Sequence, residues 1–274
     1  MPAPKNAFKA RLQAGLPQIG LWLNMAEPLP AEIAGHAGFD WLVIDGEHGP
    51  NDLRSIMAQL QALSSSSSEA VVRPPMGETW MIKQLLDIGA RTLLVPMVDS
   101  AEQAKALVDA VRYPPEGKRG VGAAVARASA FNAIADYTDT AADEICLLVQ
   151  VETMAAIDDI ERIAEVEGVD GIFIGPADLS ADMGFRGQIG APQVQDVIEN
   201  AIRRIVAAGK PAGILTFDEE LNRRYLDLGA TFVAVGADVA LYSNALKTLA
   251  GLFSVAGISP PARNWPVKLA TGRF

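Results

Sequence analysis

The 274-residue chain contains a single cysteine, Cys146, and only two histidines, His36 and His48. One thiol cannot close an internal disulfide, so the fold must rest on burial of apolar surface, and a reducing, cytoplasmic setting is expected. Cys146 lies within an apolar run, which suits a small buried side chain better than a nucleophile. Aromatic residues are sparse at 6%, although half the chain is hydrophobic. A core built on Ala, Val, Ile and Leu suits helices packed on a buried parallel sheet. Basic side chains are also in deficit: 23 Lys and Arg against 33 Asp and Glu leave a net charge of −10. That surface excludes nucleic acid and anionic lipid as expected partners. An anionic substrate must then be captured locally, by an arginine or a metal. No apolar run reaches the roughly 18–20 residues of a membrane span. The opening Met1-Pro2-Ala3-Pro4-Lys5-Asn6 offers no apolar core of a secretion signal, so neither a membrane nor a leader is expected.

What is present is a rhythm. Short apolar runs predict strands at 19–23, 41–44, 70–72, 92–95, 145–151, 171–174, 212–215 and 232–235. Between them, apolar residues recur with the helical period, as in Leu53, Ile56, Met57, Leu60 and Leu63, or Ala104, Leu107, Val108 and Val111. Asn51 or Asp52 can cap the first of these helices, and a last helix is expected near 242–254. Eight strand-plus-helix units predict an α/β protein of the (β/α)8 TIM-barrel type. A doubly wound sheet is the alternative, but the first strand is not followed by a Gly-x-Gly-x-x-Gly turn. The expected organisation is one barrel domain over residues 1–254 and a Pro-containing tail over 255–274. Ser64 to Ser68 reads as a solvated connector, and 112–144 as a long Gly-, Pro- and Ala-rich insertion of the kind that is more often functional than idle.

In such a barrel the C-terminal ends of the strands share one face. Asp45, Glu47 and His48 fall there, with Arg73, Gln150, Glu152 and Asp178. The stretch Gly171-Ile172-Phe173-Ile174-Gly175-Pro176-Ala177-Asp178 is an apolar strand broken by Gly-Pro that delivers one carboxylate. Cys146 to Val151 has the same design and delivers Glu152. Two hard oxygen donors suit a divalent metal, with water and substrate completing the octahedron. Read from spacing alone, the same acids serve equally well as helix caps. His48, in a Gly-flanked turn, is either a general base or a solvent-exposed turn residue. His36, between glycines at a helix end, reads as structural. Arg73 precedes Pro74, which restricts it to extended geometry and fixes its direction; it suits a carboxylate or a developing oxyanion. Asp87, in the last turn of a helix, opposes the helix dipole. It either orients a histidine or is a solvated helix-end acid.

Taken together, these stretches resemble the HpcH/HpaI aldolase family, the metal-dependent (class II) pyruvate aldolases, and most closely its 4-hydroxy-2-oxoheptanedioate aldolase branch. The resemblance spans roughly residues 5–253 and is carried by Ile44-Asp45-Gly46-Glu47-His48, Val72-Arg73-Pro74, Ile82 to Gly89, Leu94 to Val98, Arg119-Gly120-Val121-Gly122, Val149 to Glu152 and Gly175 to Ser180. It implies that Glu152 and Asp178 ligate Mg²⁺, Mn²⁺ or Co²⁺. Pyruvate or hydroxypyruvate would chelate that ion, with Gln150 and the backbone at Ala177-Asp178 completing its site. His48 would be the base, made more basic by Asp87, with Arg73 stabilising the enolate. Asp45 and Leu215 would line the aldehyde side. The expected partners are a small keto acid and an aldehyde. The expected assembly is a homohexamer, a trimer of dimers, with the last helix exchanged between neighbours. Related readings are an oxaloacetate decarboxylase or a citramalyl/acyl-CoA-type lyase, although no basic patch for coenzyme A is visible. Outside enzymes, a keto-acid sensor is the remaining option. No lysine is needed for a Schiff base, and Lys83 lies on a helix.

Overall fold

A computed structural model describes residues 2–253; the expected tail at 255–274 lies outside them. Eight parallel strands close into a barrel in sequential order. They are β1 Gln18–Leu23, β2 Trp41–Asp45, β3 Glu69–Arg73, β4 Thr92–Val95, β5 Cys146–Val151, β6 Gly171–Ile174, β7 Ala212–Leu215 and β8 Phe232–Ala237. The helices are α1 Ala7–Gln13, α2 Pro28–Gly35, α3 Leu53–Ala62, α4 Thr79–Asp87, α5 Ala101–Val111, α6 Tyr137–Glu144, α7 Met154–Asp158, α8 Ile160–Ala164, α9 Pro176–Asp182, α10 Pro192–Ala207, α11 Glu219–Asp227 and α12 Asp238–Leu252. The barrel expected from the strand–helix rhythm is therefore the fold observed.

Two apolar layers hold it. The outer layer packs helices on the strands through residues such as Ile82, Leu86, Ile160, Ile198 and Ile202. The inner one fills the barrel with Trp22, Trp41, Val71, Leu94, Cys146, Phe173 and Phe232, and Phe8 and Leu12 of α1 join it. The few aromatics are concentrated here. Phe8 lies 5.7 Å from Trp41 and 6.1 Å from Phe232, and Trp22 lies 5.5 Å from Phe173, between ring centroids. Gly20 and Gly213 make the room: a Cβ at either would overlap the Trp41 or Phe232 ring. Cys146 is fully buried in this interior and burial pushes its thiol up, in keeping with a packing role.

Asp52 caps α3 through a reciprocal box with Ser55, as the sequence allowed. Elsewhere the structure refines the reading. The insertion contains α6, unforeseen because only Tyr137 and Ala141 of its eight residues are buried, so no apolar stripe marks it. The serine run is not wholly solvated: Ser68 is buried and its hydroxyl donates to Phe39 O at 2.6 Å. The last helix begins at Asp238, whose carboxylate accepts from the backbone of Asn24 and Met25. None of α12 is buried, and Val239, Leu241, Tyr242, Leu246, Leu249 and Leu252 are all exposed along it. No helix among the described residues is long and apolar enough to cross a membrane.

Candidate active site

The strand ends bring Asp45, Arg73, Gln150 and Glu152 to one rim of the barrel, with Asp45 directly in register with Arg73. Asp45 is completely buried. Its Oδ1 accepts from Arg73 Nε at 2.9 Å and its Oδ2 from Arg73 Nη2 at 2.8 Å. Asn24 Nδ2 and the backbone N–H groups of Glu47 and His48 donate to the same carboxylate. Burial works against its charge, but the hydrogen bonds and charge of Arg73 hold the carboxyl below its ordinary range. With both oxygens so engaged, Asp45 anchors Arg73 and the turn carrying His48.

Arg73 is held from three sides. Besides Asp45, its Nη1 lies 2.8 Å from Glu47 Oε2, and its guanidinium sits 5.3 Å from the centroid of a Trp22 ring. Only 8% of its side chain is exposed, so it reaches the rim as a rigid cation. His48 is exposed, with Nε2 3.8 Å from Glu47 Oε2.

Glu152 is an enclosed acid with no cation beside it among its hydrogen-bond partners. It is 1% exposed. Met97 N–H donates to Oε1 at 2.8 Å and Gln150 Nε2 to Oε2 at 2.7 Å. Met97 reaches it from a left-handed conformation, φ 56°, just beyond β4. Burial first, and then the nearby carboxylates of Glu47 and Asp178, push the Glu152 carboxyl up to about 7. Asp178 lies in the exposed first turn of α9, which Gly175 leads into after β6. A Cβ at Gly175 would overlap Glu152 Oε2 and come within 3.2 Å of Gln150 Nε2, so the cradle around Glu152 requires glycine. Leu215, half-buried, closes β7 on the same rim.

These residues fit a divalent cation. A buried carboxylate crowded by like charges gains when a cation offsets them. Gln150 Oε1 is buried without a hydrogen-bond partner among the described residues, an oxygen still available to a ligand. No group of three or more His, Cys, Asp or Glu poised to hold a metal occurs among the described residues. An ion held by two carboxylates would leave its other positions to water and substrate. Gly175→Ala is therefore expected to weaken Mn²⁺ binding tenfold or more, in the range of roughly 10–100-fold for losses around a metal ligand. Titration of the metal-free protein checks this; unchanged affinity would mean the cradle is not a metal site.

Within one chain Asp87 is placed apart from His48 and has another partner. Asp87 ends α4, and helices return antiparallel to the strands, so it lies at the barrel end where β4 begins, opposite the rim. Its partner is Arg119, whose Nη2 donates to Asp87 Oδ1 at 2.9 Å. That ion pair explains an acid in a last helical turn. A cavity of about 590 Å³ also opens at this far end, lined by Ser66, Glu69, Arg91, Arg127 and Phe131 among others, away from the acids of the rim. Asn24, Trp22 and the Met97 backbone escaped the sequence reading. They act by hydrogen bonding and stacking from neighbouring strands and loops, which no linear pattern marks.

A family model described as HpcH/HpaI aldolase/citrate lyase matches residues 18–245. The chain is 68% identical over 264 residues to a hydroxypyruvate/pyruvate aldolase of Agrobacterium fabrum, covering 96% of this chain and 99% of that one. It is 56% identical over 249 residues to a 4-hydroxy-2-oxo-heptane-1,7-dioate aldolase of Salmonella dublin, covering 91% and 95%. Among solved structures, a HpcH/HpaI aldolase/citrate lyase family protein from Burkholderia cenocepacia superposes with a TM-score of 0.87 at 39% identity, covering 91% of this chain and all of that one.

Proposed function

This chain belongs to the HpcH/HpaI aldolase/citrate lyase family, and from that premise we propose that it is a divalent-metal-dependent aldolase. The reaction is reversible cleavage of a 4-hydroxy-2-oxo acid into an aldehyde and either pyruvate or hydroxypyruvate. The observation that carries the reading is Glu152: a buried carboxylate fixed by two donors, repelled by Asp178 and Glu47, on the rim that also carries Arg73.

Glu152 and Asp178 are the metal ligands in this reading. When bound, Mg²⁺, Mn²⁺ or Co²⁺ supplies Lewis-acid stabilisation of the negative charge that develops on the keto-acid fragment. Gln150 and the free N–H groups of Ala177 and Asp178, in the first turn of α9, orient the substrate carboxylate. Arg73, fixed by Asp45 and Trp22, faces the developing oxyanion as a preorganised charge. His48 takes the 4-hydroxyl proton in cleavage and returns it in synthesis. Leu215 supplies apolar surface toward the aldehyde. Asp45 serves that side through the residues it holds.

Asp87 can support His48 only from another copy, because the two lie at opposite ends of one barrel. The exposed apolar stripe of α12 favours such an assembly, and a homohexamer exchanging this helix is the proposed form. Leu246→Asp with Leu249→Asp is expected to break the assembly and lower cleavage together. Light scattering alongside activity checks this; full activity in a dissociated protein would remove Asp87 from the mechanism.

The test of function is direct. Chelation is expected to abolish cleavage of a 4-hydroxy-2-oxo acid, and added Mg²⁺ or Mn²⁺ to restore it. Borohydride with pyruvate should leave no covalent adduct; an adduct would establish a lysine mechanism instead. His48→Ala is expected to cost roughly 10²–10⁴-fold in turnover, the usual share of a general base, while still binding pyruvate.

A further inference from the structure

The cavity of about 590 Å³ at the end of the barrel opposite the rim has the size of a small-ligand site. Leu60, Leu63, Ile134 and Phe131 give it apolar walls, and Arg91 and Arg127 give it cations. The acids that line it are already paired: Glu69 meets Arg91 at 2.8 Å, and Glu144 meets Lys5 at 2.6 Å. Arg127 has no carboxylate partner among the described residues. Its Nη1 donates to Ile88 O at 2.9 Å, at the end of α4. Nε and Nη2 are left without an acceptor among the described residues. Gly89, at φ 101°, makes the close approach possible, because a Cβ there would overlap Arg127 Nη1. Burial pushes the Arg127 guanidinium down, and no acid offsets the effect. A half-buried cation without a counter-charge gains from any anion that reaches it. The same cavity carries a strained turn. Ala130, Phe131 and Asn132 all adopt left-handed conformations, φ 50°, 56° and 73°, which residues with side chains avoid. Hydrogen bonds from Phe131 N–H to Ala126 O and from Asn132 N–H to Ser129 Oγ, both 3.0 Å, hold that turn. It keeps a phenyl ring 70% exposed in a cavity that also holds an unpaired arginine.

We propose that this cavity is a second ligand site, one that takes a small carboxylic acid with an apolar body. Arg127 receives the carboxylate through Nε and Nη2, a planar fork matched to two oxygens. Phe131, Leu60 and Ile134 cover the apolar body. Inorganic phosphate would satisfy the arginine but leave these walls wet, so an organic acid is the occupant that uses the whole cavity. The site lies away from the acids of the rim, and its ligand needs no metal. It therefore stands or falls apart from the aldolase reading.

The experiment is a fluorine NMR titration of 4-fluorobenzoate into the metal-free, full-length protein. Saturable binding at one site per chain is expected. The neutral 4-fluorobenzamide should bind about tenfold or more weakly, the cost of losing a charge-assisted pair. Excess inorganic phosphate should not displace the acid. R127M should weaken the acid about tenfold or more and leave the amide within about twofold. F131A removes an exposed ring and so spares the core; it should weaken acid and amide alike, by roughly threefold or more. E152Q, at the opposite end, should bind the acid within about twofold of the parent. If R127M does not fold, the acid–amide comparison on the parent and the F131A titration decide the matter. Equal affinity for acid and amide, parental affinity in R127M or F131A, or displacement by phosphate would overturn the proposal. So would loss of binding in E152Q, which would put the acid at the rim. No saturable binding at roughly 10 mM would leave Arg127 as a cap on α4 alone.

Discussion

Glu152→Gln is expected to reduce cleavage by at least about 10³-fold while leaving the metal-free protein folded and, above neutral pH, at least as stable as the parent. In the proposed site the activity loss follows from removing one of the two carboxylates assigned to the ion. The stability result has a definite sign. Burial, with repulsion from Glu47 and Asp178, raises the folded-state value to about 7 from the ordinary 4.5. Protonation of Glu152 therefore stabilises the metal-free fold below pH 4.5, and this contribution is lost as pH rises through about 7. Glutamine never ionises, so the variant escapes that loss. Thermal melts of metal-free proteins should coincide near pH 5 and diverge in favour of the variant at pH 8. A variant markedly less stable at pH 8 would indicate that the carboxylate is paired in some other way.

Arg73→Met is expected to damage both stability and activity. It strips Asp45 of its bidentate partner at a position where the carboxylate is wholly enclosed. Breaking a buried pair from one side costs about 3–5 kcal/mol, and Glu47 loses its cation at the same time. Turnover should fall by roughly 10²–10³-fold, the cost of one oxyanion-stabilising donor. Neutralising the stranded acid, in Asp45→Asn with Arg73→Met, should recover a good part of the stability and none of the turnover. Denaturant melts and kinetics on the three proteins separate the two effects. Recovery of turnover in the double variant would mean that Arg73 acts only by neutralising Asp45.

The barrel was legible because each strand of a parallel α/β protein is a short apolar run and each packed helix carries a 3.6-residue stripe. The strand ends then order the rim without further information, which is why Arg73, Gln150, Glu152 and Asp178 could be placed together from spacing. What remained hidden depends on direction and on contacts between distant segments. Asp87 sits in a motif beside the others along the chain, yet the antiparallel return of α4 carries it to the far end of the barrel. Helix α6 has too narrow an apolar face to announce itself. Asp45 reads as a rim acid, and only the geometry reveals five donors closing over it. Helix α12 shows the reverse: its apolar residues are plain in sequence, and the fold leaves them uncovered.

The most direct test is an electron paramagnetic resonance titration of Mn²⁺ into metal-free wild type, Glu152→Gln and Asp178→Asn, with and without pyruvate. The expected result is one tightly bound ion per wild-type chain, a spectrum perturbed by pyruvate, and loss of that ion in each single variant. Mn²⁺ bound with parental affinity and the same response to pyruvate in both variants would contradict the assignment of these two acids, and the mechanism built on them.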